Sequence, residues 1–301
     1  MKAEASVNNN VATKKKRSIS MSGLNTASNV LIYIILATLG IVWILPIVFL
    51  LYTSLRVTPD TGIINQLIPD NLELGFDNYI RLFGDTMFPI WLKNTVIVAA
   101  CSCILSTMFV LMISYALSRL RFRMRKPLMN VLLVLGMFPG FMSMIAVYFI
   151  LKAMGLLNSL FALVLVYSGG AGLSYYICKG FFDTIPKSLE EAAILDGANR
   201  LQILLTVTVP LSKPIIIYTI LTSFINPWCD FIFVNTIIND REKYTVALGL
   251  YKMINAEKFS FNENFTVFCA GATVVGVIIV ALFMSMQKYY VEGVTSGAVK
   301  G

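Results

Sequence analysis

Six stretches of this chain are apolar over about 20 residues or more, the length that crosses the hydrocarbon core of a bilayer. They run over residues 30–52, 94–117, 128–151, 158–178, 214–238 and 265–287. In lipid every backbone N–H and C=O must be paired internally, and spans of this length achieve that as α-helices. The expected fold is therefore all-α and integral to the membrane, with six transmembrane helices. Composition agrees: 57% of the 301 residues are hydrophobic and 13% are charged, against roughly 45–50% and 25% in soluble domains. The first stretch exceeds a signal-peptide core and is read as a retained membrane helix.

Cationic residues mark the cytoplasmic side of membrane proteins. Five precede the first span (Lys2, Lys14, Lys15, Lys16 and Arg17). Others cluster between spans two and three and between spans four and five. Counted with Lys288 and Lys300, these segments hold 16 of the 24 Lys and Arg residues. That split expects both termini in the cytoplasm and requires an even number of spans. Residues 1–29 read as a disordered basic leader, 30–290 as the membrane domain, and 291–301 as a Gly-rich cytoplasmic tail. The net charge is +8, but its cations are dispersed, so no nucleic-acid partner is expected.

The chain has no histidine. Ser-His-Asp and Cys-His catalysis and His-ligated zinc or haem are excluded. Its five cysteines, Cys101, Cys103, Cys178, Cys229 and Cys269, lie in apolar runs. They read as small buried hydrophobes and not as a disulfide framework.

The loop over 179–213 is the most structured by sequence. After Pro186, Ser188 is expected to cap a helix in a capping box with Glu191. Ala192, Ala193, Ile194 and Leu195 extend the helix, and Gly197 ends it. A second helical stretch, Gln202 to Thr206, leads to Pro210. Such a helix is a knob for a groove in another protein or an interfacial helix on lipid. Glu190, Glu191 and Asp196 argue against an anionic leaflet.

Glu191-Ala192-Ala193, Gly197 six positions after the Glu, and Val207-Thr208-Val209-Pro210 resemble the E-A-A loop of bacterial ABC importer permeases. Val207 and Val209 stand where that pattern has Ile and Leu. Asp77-Asn78-Tyr79, Trp91-Leu92-Lys93-Asn94-Thr95, Met137-Phe138-Pro139-Gly140 and Gly180 to Pro186 are similar to segments of carbohydrate-importer permeases. The tail from Glu292 to Gly301 resembles the maltose-type six-helix permease subunit. The resemblance covers the chain from about residue 30 onward.

The resemblance implies a conduit driven from outside. A second, non-identical permease would complete the pathway, and an extracytoplasmic sugar-binding protein would deliver the substrate. Two ATPase subunits would dock the loop through Glu191, Ala192, Ala193, Asp196, Gly197 and Pro210. The tail residues Ser296, Gly297 and Lys300 would reach between those ATPases. ATP and Mg would be bound by that partner. This chain has no G-x-x-x-x-G-K-[ST] phosphate loop, and no cofactor of its own is expected. The substrate expected is a neutral, maltodextrin-like oligosaccharide, because the tail is maltose-like and the spans hold no basic residue for an anionic sugar.

Polar residues within spans are candidates for the pathway. Asp230 follows Asn226, Pro227 and Trp228, and Pro227 is expected to break or kink the fifth helix. Asn226, the Trp228 ring and Asp230 would face a sugar. Alternatively, Asp230 caps a helix break or pairs with the partner permease. Met137 and its neighbours Met142 and Met144 line a path or fill packing gaps. An ion-coupled secondary transporter or a channel is the competing class. It would show internal repeats and more midplane ionisable groups, and neither is visible.

Overall fold

The computed structural model describes residues 21–57, 73–137, 140–170, 172–255 and 261–298. In chain order the helices are α1 (Met21–Leu55), α2 (Asp77–Gly84), α3 (Phe88–Arg119), α4 (Arg125–Met137), α5 (Gly140–Ala153), α6 (Leu160–Gly169) and α7 (Gly172–Asp183). There follow α8 (Lys187–Leu195), α9 (Arg200–Ile203), a π-helical turn (Leu204–Thr208) and α10 (Val209–Leu211). The chain finishes with α11 (Lys213–Cys229), α12 (Ile232–Ile237), a 3-10 turn (Arg241–Lys243), α13 (Val246–Asn255) and α14 (Phe261–Ala298). Among the described residues the only β pairing is one bridge, Arg56 with Leu74.

The chain divides into two compact units at Phe49. In the first, α1 exposes its apolar side chains from Val30 to Val48. The second unit contains everything from Leu50 onward, and the site lies within it.

Three helical segments are long and apolar enough to cross a membrane unbroken: Ser28–Leu55, Phe88–Arg119 and Asn264–Gln287. Three further pairs meet the same criterion together but are bent, giving up to six spans. The third expected stretch bends by 105° between α4 and α5, the fourth by 40° between α6 and α7. The helical run Arg200–Leu211 meets α11 at 89°. Two of the bends have a local cause in sequence. Gly169, Gly170 and Gly172 flank the one between α6 and α7. Pro214 lies in the first turn of α11, where its fixed φ starts a new helix. Gly136 and Gly172 also let α4 and α7 touch. A Cβ on Gly136 would sit 3.2 Å from the Leu173 amide nitrogen, the close approach that small residues permit.

The fifth expected stretch, 214–238, is two helices. Pro227 lies inside α11 without ending it. The break comes at Asp230, whose backbone is extended at φ −88° and ψ 104°. Residues 232–237 then form α12 as a separate short helix. The leader also differs from expectation. Residues 21–29 already belong to α1, and 1–20 lie outside the described residues.

α3 organises the second unit. Its buried face repeats every three to four residues through Asn94, Thr95, Val98, Ser102, Ser106, Val110, Ser114 and Ser118. That is a helical stripe of small side chains. Ser114 donates to the Tyr175 carbonyl of α7 at 2.9 Å, and Cys103 approaches the Ile220 carbonyl of α11 at 3.5 Å. One apolar cluster packs around the first half of α3, with Leu82, Phe88, Trp91, Val98, Leu163 and Leu248. A second packs around its end, with Val110, Tyr115, Tyr175, Phe182 and Ile203.

The Trp91-to-Thr95 segment clasps the chain that precedes α13. Trp91 Nε1 donates to the Arg241 carbonyl at 2.9 Å. Asn94 Nδ2 donates to the carbonyls of Glu242 and Tyr244, and Thr95 Oγ1 accepts the Val246 amide at 2.8 Å. Asn78 acts similarly at the end of α1, donating to the carbonyls of Ser54 and Arg56.

The Trp91 ring lies over Gly249, where an added Cβ would fall 2.1 Å from the ring. The indole is buried and hydrogen-bonded, so it has nowhere to move. Gly249→Ala should cost about 1–3 kcal/mol as overpacking and lower the detergent-solubilised melting temperature by several degrees. Gly84→Ala, with open space around it, is the control. Equal melting temperatures for the two variants would contradict the contact.

Candidate functional site

Two features of the second unit are candidates: a polar end built around α8 and a cavity between the helices. The polar end begins where α3 stops. The buried side chain of Arg119, the last residue of α3, lies 2.6 Å through Nε from Glu190 Oε1. Only 3% and 6% of their side-chain surfaces are exposed. The N–H does not point along that line, so the pair is held by charge. Arg119 Nη2 instead donates to the carbonyls of Phe182 and Ile185, at 2.8 and 2.9 Å. These carbonyls lie at and just beyond the C-terminal end of α7, the end of a helix that attracts cations. Glu190 in turn sits in the first turn of α8, where an acid is favoured. Next to this node, Ser118 donates to Asp183 at 2.6 Å, and Lys179 pairs with the same carboxylate.

The expected capping box at Ser188 and Glu191 is not formed. Pro186 is the N-cap residue of α8 and the helix starts early, with no side-chain cap. Ser188 therefore falls inside the helix. A capping box does form one helix later. Asn199 accepts from the Gln202 amide at 2.9 Å, and Gln202 accepts from the Asn199 amide at 2.8 Å. The end of α8 is as expected. Gly197 has φ +84°. Its amide bonds the Ile194 carbonyl, and the Ala198 amide bonds the Ala193 carbonyl, a Schellman arrangement.

Glu191, Ala192, Asp196 and Gly197 are exposed, and Ala193 is half-buried. Pro210 is exposed in α10. Leu195 is the most exposed, at 88%, and Leu189, Ile194, Leu201 and Leu205 of the same segment are exposed too. The surface is an apolar tip flanked by carboxylates. Of the tail residues, Ser296 and Gly297 lie in α14, which continues to Ala298. Lys300 lies outside the described residues.

The cavity measures about 790 Å³ and is open. Five serine and threonine residues line it, Ser106, Ser143, Ser174, Thr222 and Ser223, with Tyr167, Asn226 and Asp230. Val147, Val166, Ile225 and Phe233 supply apolar wall, and none of the described lining residues is basic. Ser223 and Ser106 join α11 to α3 at 3.1 Å. Asp230 accepts the Phe233 amide at 3.0 Å, capping the start of α12, and the Tyr167 hydroxyl at 3.0 Å. Each carboxylate oxygen keeps a further lone pair for a ligand. Asn226 is exposed to the cavity.

Trp228 and Met137 are not among the lining residues. Trp228 is buried against Phe224, with ring centroids 5.8 Å apart. Met137 is exposed at the end of α4, and Met144 lines the cavity instead. Cys103, Cys178 and Cys269 are buried, but Cys101 and Cys229 are exposed. The expectation of five buried thiols does not hold for those two, and Cys229 is open to the cavity it helps to line.

A second cavity, about 360 Å³, lies at the opposite end of α3, lined by Arg81, Asp85, Trp91, Arg241, Lys252 and Asn264. Nearby, hydrogen bonds from Lys243 and Asn158 hold the Asp240 carboxyl below the usual carboxylate range.

Residues 109–295, which include Arg119, α8 and the α11 wall of the cavity, match the family model described as "Binding-protein-dependent transport system inner membrane component". The chain belongs to this family. It is a permease subunit, a transporter component and not an enzyme. It is 32% identical to the maltodextrin transport system permease protein MalD of Streptococcus pneumoniae over 297 residues, covering 98% of this chain and 100% of the relative. It is 31% identical to the galactooligosaccharides transport system permease protein GanQ of Bacillus subtilis, covering 89% and 94%. In fold it is similar to a solved bacterial ABC transporter involved in import of the acidic polysaccharide alginate. The TM-score is 0.75 at 23% identity, covering 88% of this chain and 97% of that one. The alginate transporter in complex with an alginate pentasaccharide-bound periplasmic protein gives 0.62 at 16%.

The permease's α8 ends at a position that favours glycine by conformation and not by space, since nothing lies within 4 Å of a Cβ on Gly197. Gly197→Ala should cost about 1–2 kcal/mol of backbone strain. Gly197→Asn should cost less, because Asn visits that region more readily. Melting temperatures of the purified permease decide this, and equal losses for Ala and Asn would contradict it.

Proposed function

We propose that this permease forms half of the pathway of an ATP-driven importer for a neutral oligosaccharide of the maltodextrin kind. The carrying observation is the cavity: hydroxyls, one amide and one carboxylate over an apolar wall, with no cation among the described lining residues. Such a lining suits an uncharged polyol, whose hydroxyls need both donors and acceptors. A sugar acid would meet Asp230 with no compensating base. The substrates named for the maltodextrin and galactooligosaccharide relatives are consistent with this.

The exposed tip of α8 would dock into a cleft of a separate ATPase subunit. Glu191, Ala192, Ala193, Asp196 and Gly197 would form the contact, with Pro210 supporting the turn beyond it. ATP and Mg would be bound by two ATPase copies, and Ser296, Gly297 and Lys300 would approach them. A second, non-identical permease would complete the pathway within the lipid. The 16-to-8 division of cations supports a cytoplasmic position for α8 and for both termini in the bacterial inner membrane. At the other end, Arg81, Arg241 and Lys252 would face an extracytoplasmic sugar-binding protein.

The test is uptake of labelled maltotriose by a strain lacking this chain and complemented with variants. Wild type should restore uptake. Asp230→Asn should reduce it about ten-fold or more, since a hydrogen bond to a charged group contributes about 1.5–3 kcal/mol. ATPase co-purification should be unchanged. Maltotriose uptake that persists without the chain would overturn the substrate assignment. Loss of ATPase from the wild-type complex would overturn the importer itself.

A further inference from the structure

The node around Arg119 joins three helix ends. It is the C-terminus of α3, it binds carbonyls at the end of α7, and it pairs with the first turn of α8. α3 also reaches the central cavity, where Ser106 forms part of the wall. Between Ser106 and Arg119 lie roughly 20 Å of helix, at about 1.5 Å per residue.

That stretch has the features of a rod. α3 contains no glycine, and its one proline, Pro89, lies in the first turn. Sharp kinks in helices need such residues or an inserted group. Three of the other apolar segments are bent by 40° to 105° and would absorb a push at one end. α3 is also tied laterally by Ser114 to α7 and by Ser106 to α11.

We infer that Arg119 is a positioning residue that locks α8 to α3, so that displacement of α8 is delivered along α3 to the cavity wall. The inference rests on the reading of α8 as the ATPase-docking element. Glu191 and Asp196 face outward for a partner, whereas Glu190 faces inward and grips the rod. The two adjacent glutamates thus have separate tasks. A lysine at 119 would keep the charge but lose the planar fork that serves two carbonyls and a carboxylate at once.

The test uses the complete complex, with second permease, ATPase and binding protein, in proteoliposomes. Labelled maltotriose uptake and ATP hydrolysis are measured together. In Arg119→Lys and Glu190→Gln, sugar moved per ATP hydrolysed should fall at least ten-fold while the ATPase still co-purifies. A purely structural role would lower both activities together and leave the ratio unchanged, and that result overturns the proposal. If these variants do not assemble, a second pair decides. Met108 and Met112 are exposed on the outer face of α3. Met108→Gly with Met112→Gly softens the rod but leaves the node intact, and should also lower the ratio. Met108→Ala with Met112→Ala should keep it. A wild-type ratio in the glycine pair overturns the proposal. No ATP-driven uptake by the wild-type complex would instead overturn the importer reading, and the proposal with it.

Discussion

The second unit of this permease depends on how closely other helices approach α3. Apolar side chains gain little by leaving lipid for one another, so contact between spans comes from packing and hydrogen bonds. α3 supplies both through a stripe of small residues. Ser102, Ser106, Ser114 and Ser118 leave room for neighbouring backbones, and three of the four hydroxyls bond to a neighbouring helix or its side chain. Enlarging that stripe would separate α3 from α7 and α11. The cavity and the α8 node would separate with it, because both are assembled between those helices.

The stripe also explains the spacing of the two candidate features. The apolar clusters sit toward the two halves of α3, and the hydroxyl-lined cavity opens around Ser106 between them. Tyr167 and Asp230 complete a polar belt there without a fixed positive charge. Among the described residues the cavity offers a polar route, and α8 offers a handle at the end of α3.

Much of this was legible in the sequence. Hydropathy located the apolar segments, and Gly197 marked the end of α8. Glu191-Ala192-Ala193 through Pro210 pointed to the family. The bends were less legible. Pro227 looked like the break in the fifth stretch, yet the helix passes through it and stops at Asp230, whose carboxylate caps the start of α12. Ser188 looked like a cap, but Pro186 starts the helix earlier. Glu190 and Glu191 look alike in sequence. Adjacent positions on a helix differ by about 100°, so the two can meet different surroundings, but Glu190's partner Arg119 is visible only in three dimensions. Trp228, expected to face a sugar, lies outside the cavity lining for a similar reason: its ring packs against Phe224. The four-residue spacing of serines in α3 was there to be read, and it signals close helix packing.

In the proposed importer, chemical energy enters through the tip of α8. A single cysteine at Leu195, in a permease whose five native cysteines are replaced by serine or alanine, tests this directly. In membranes containing the whole complex, Leu195→Cys should cross-link to the ATPase subunit with a short bifunctional reagent, and the yield should change when ATP is added. A cysteine at Val134, exposed on the apolar face of α4, should not. Failure of Leu195→Cys to reach the ATPase in any nucleotide state, in a complex that still transports, would contradict the account.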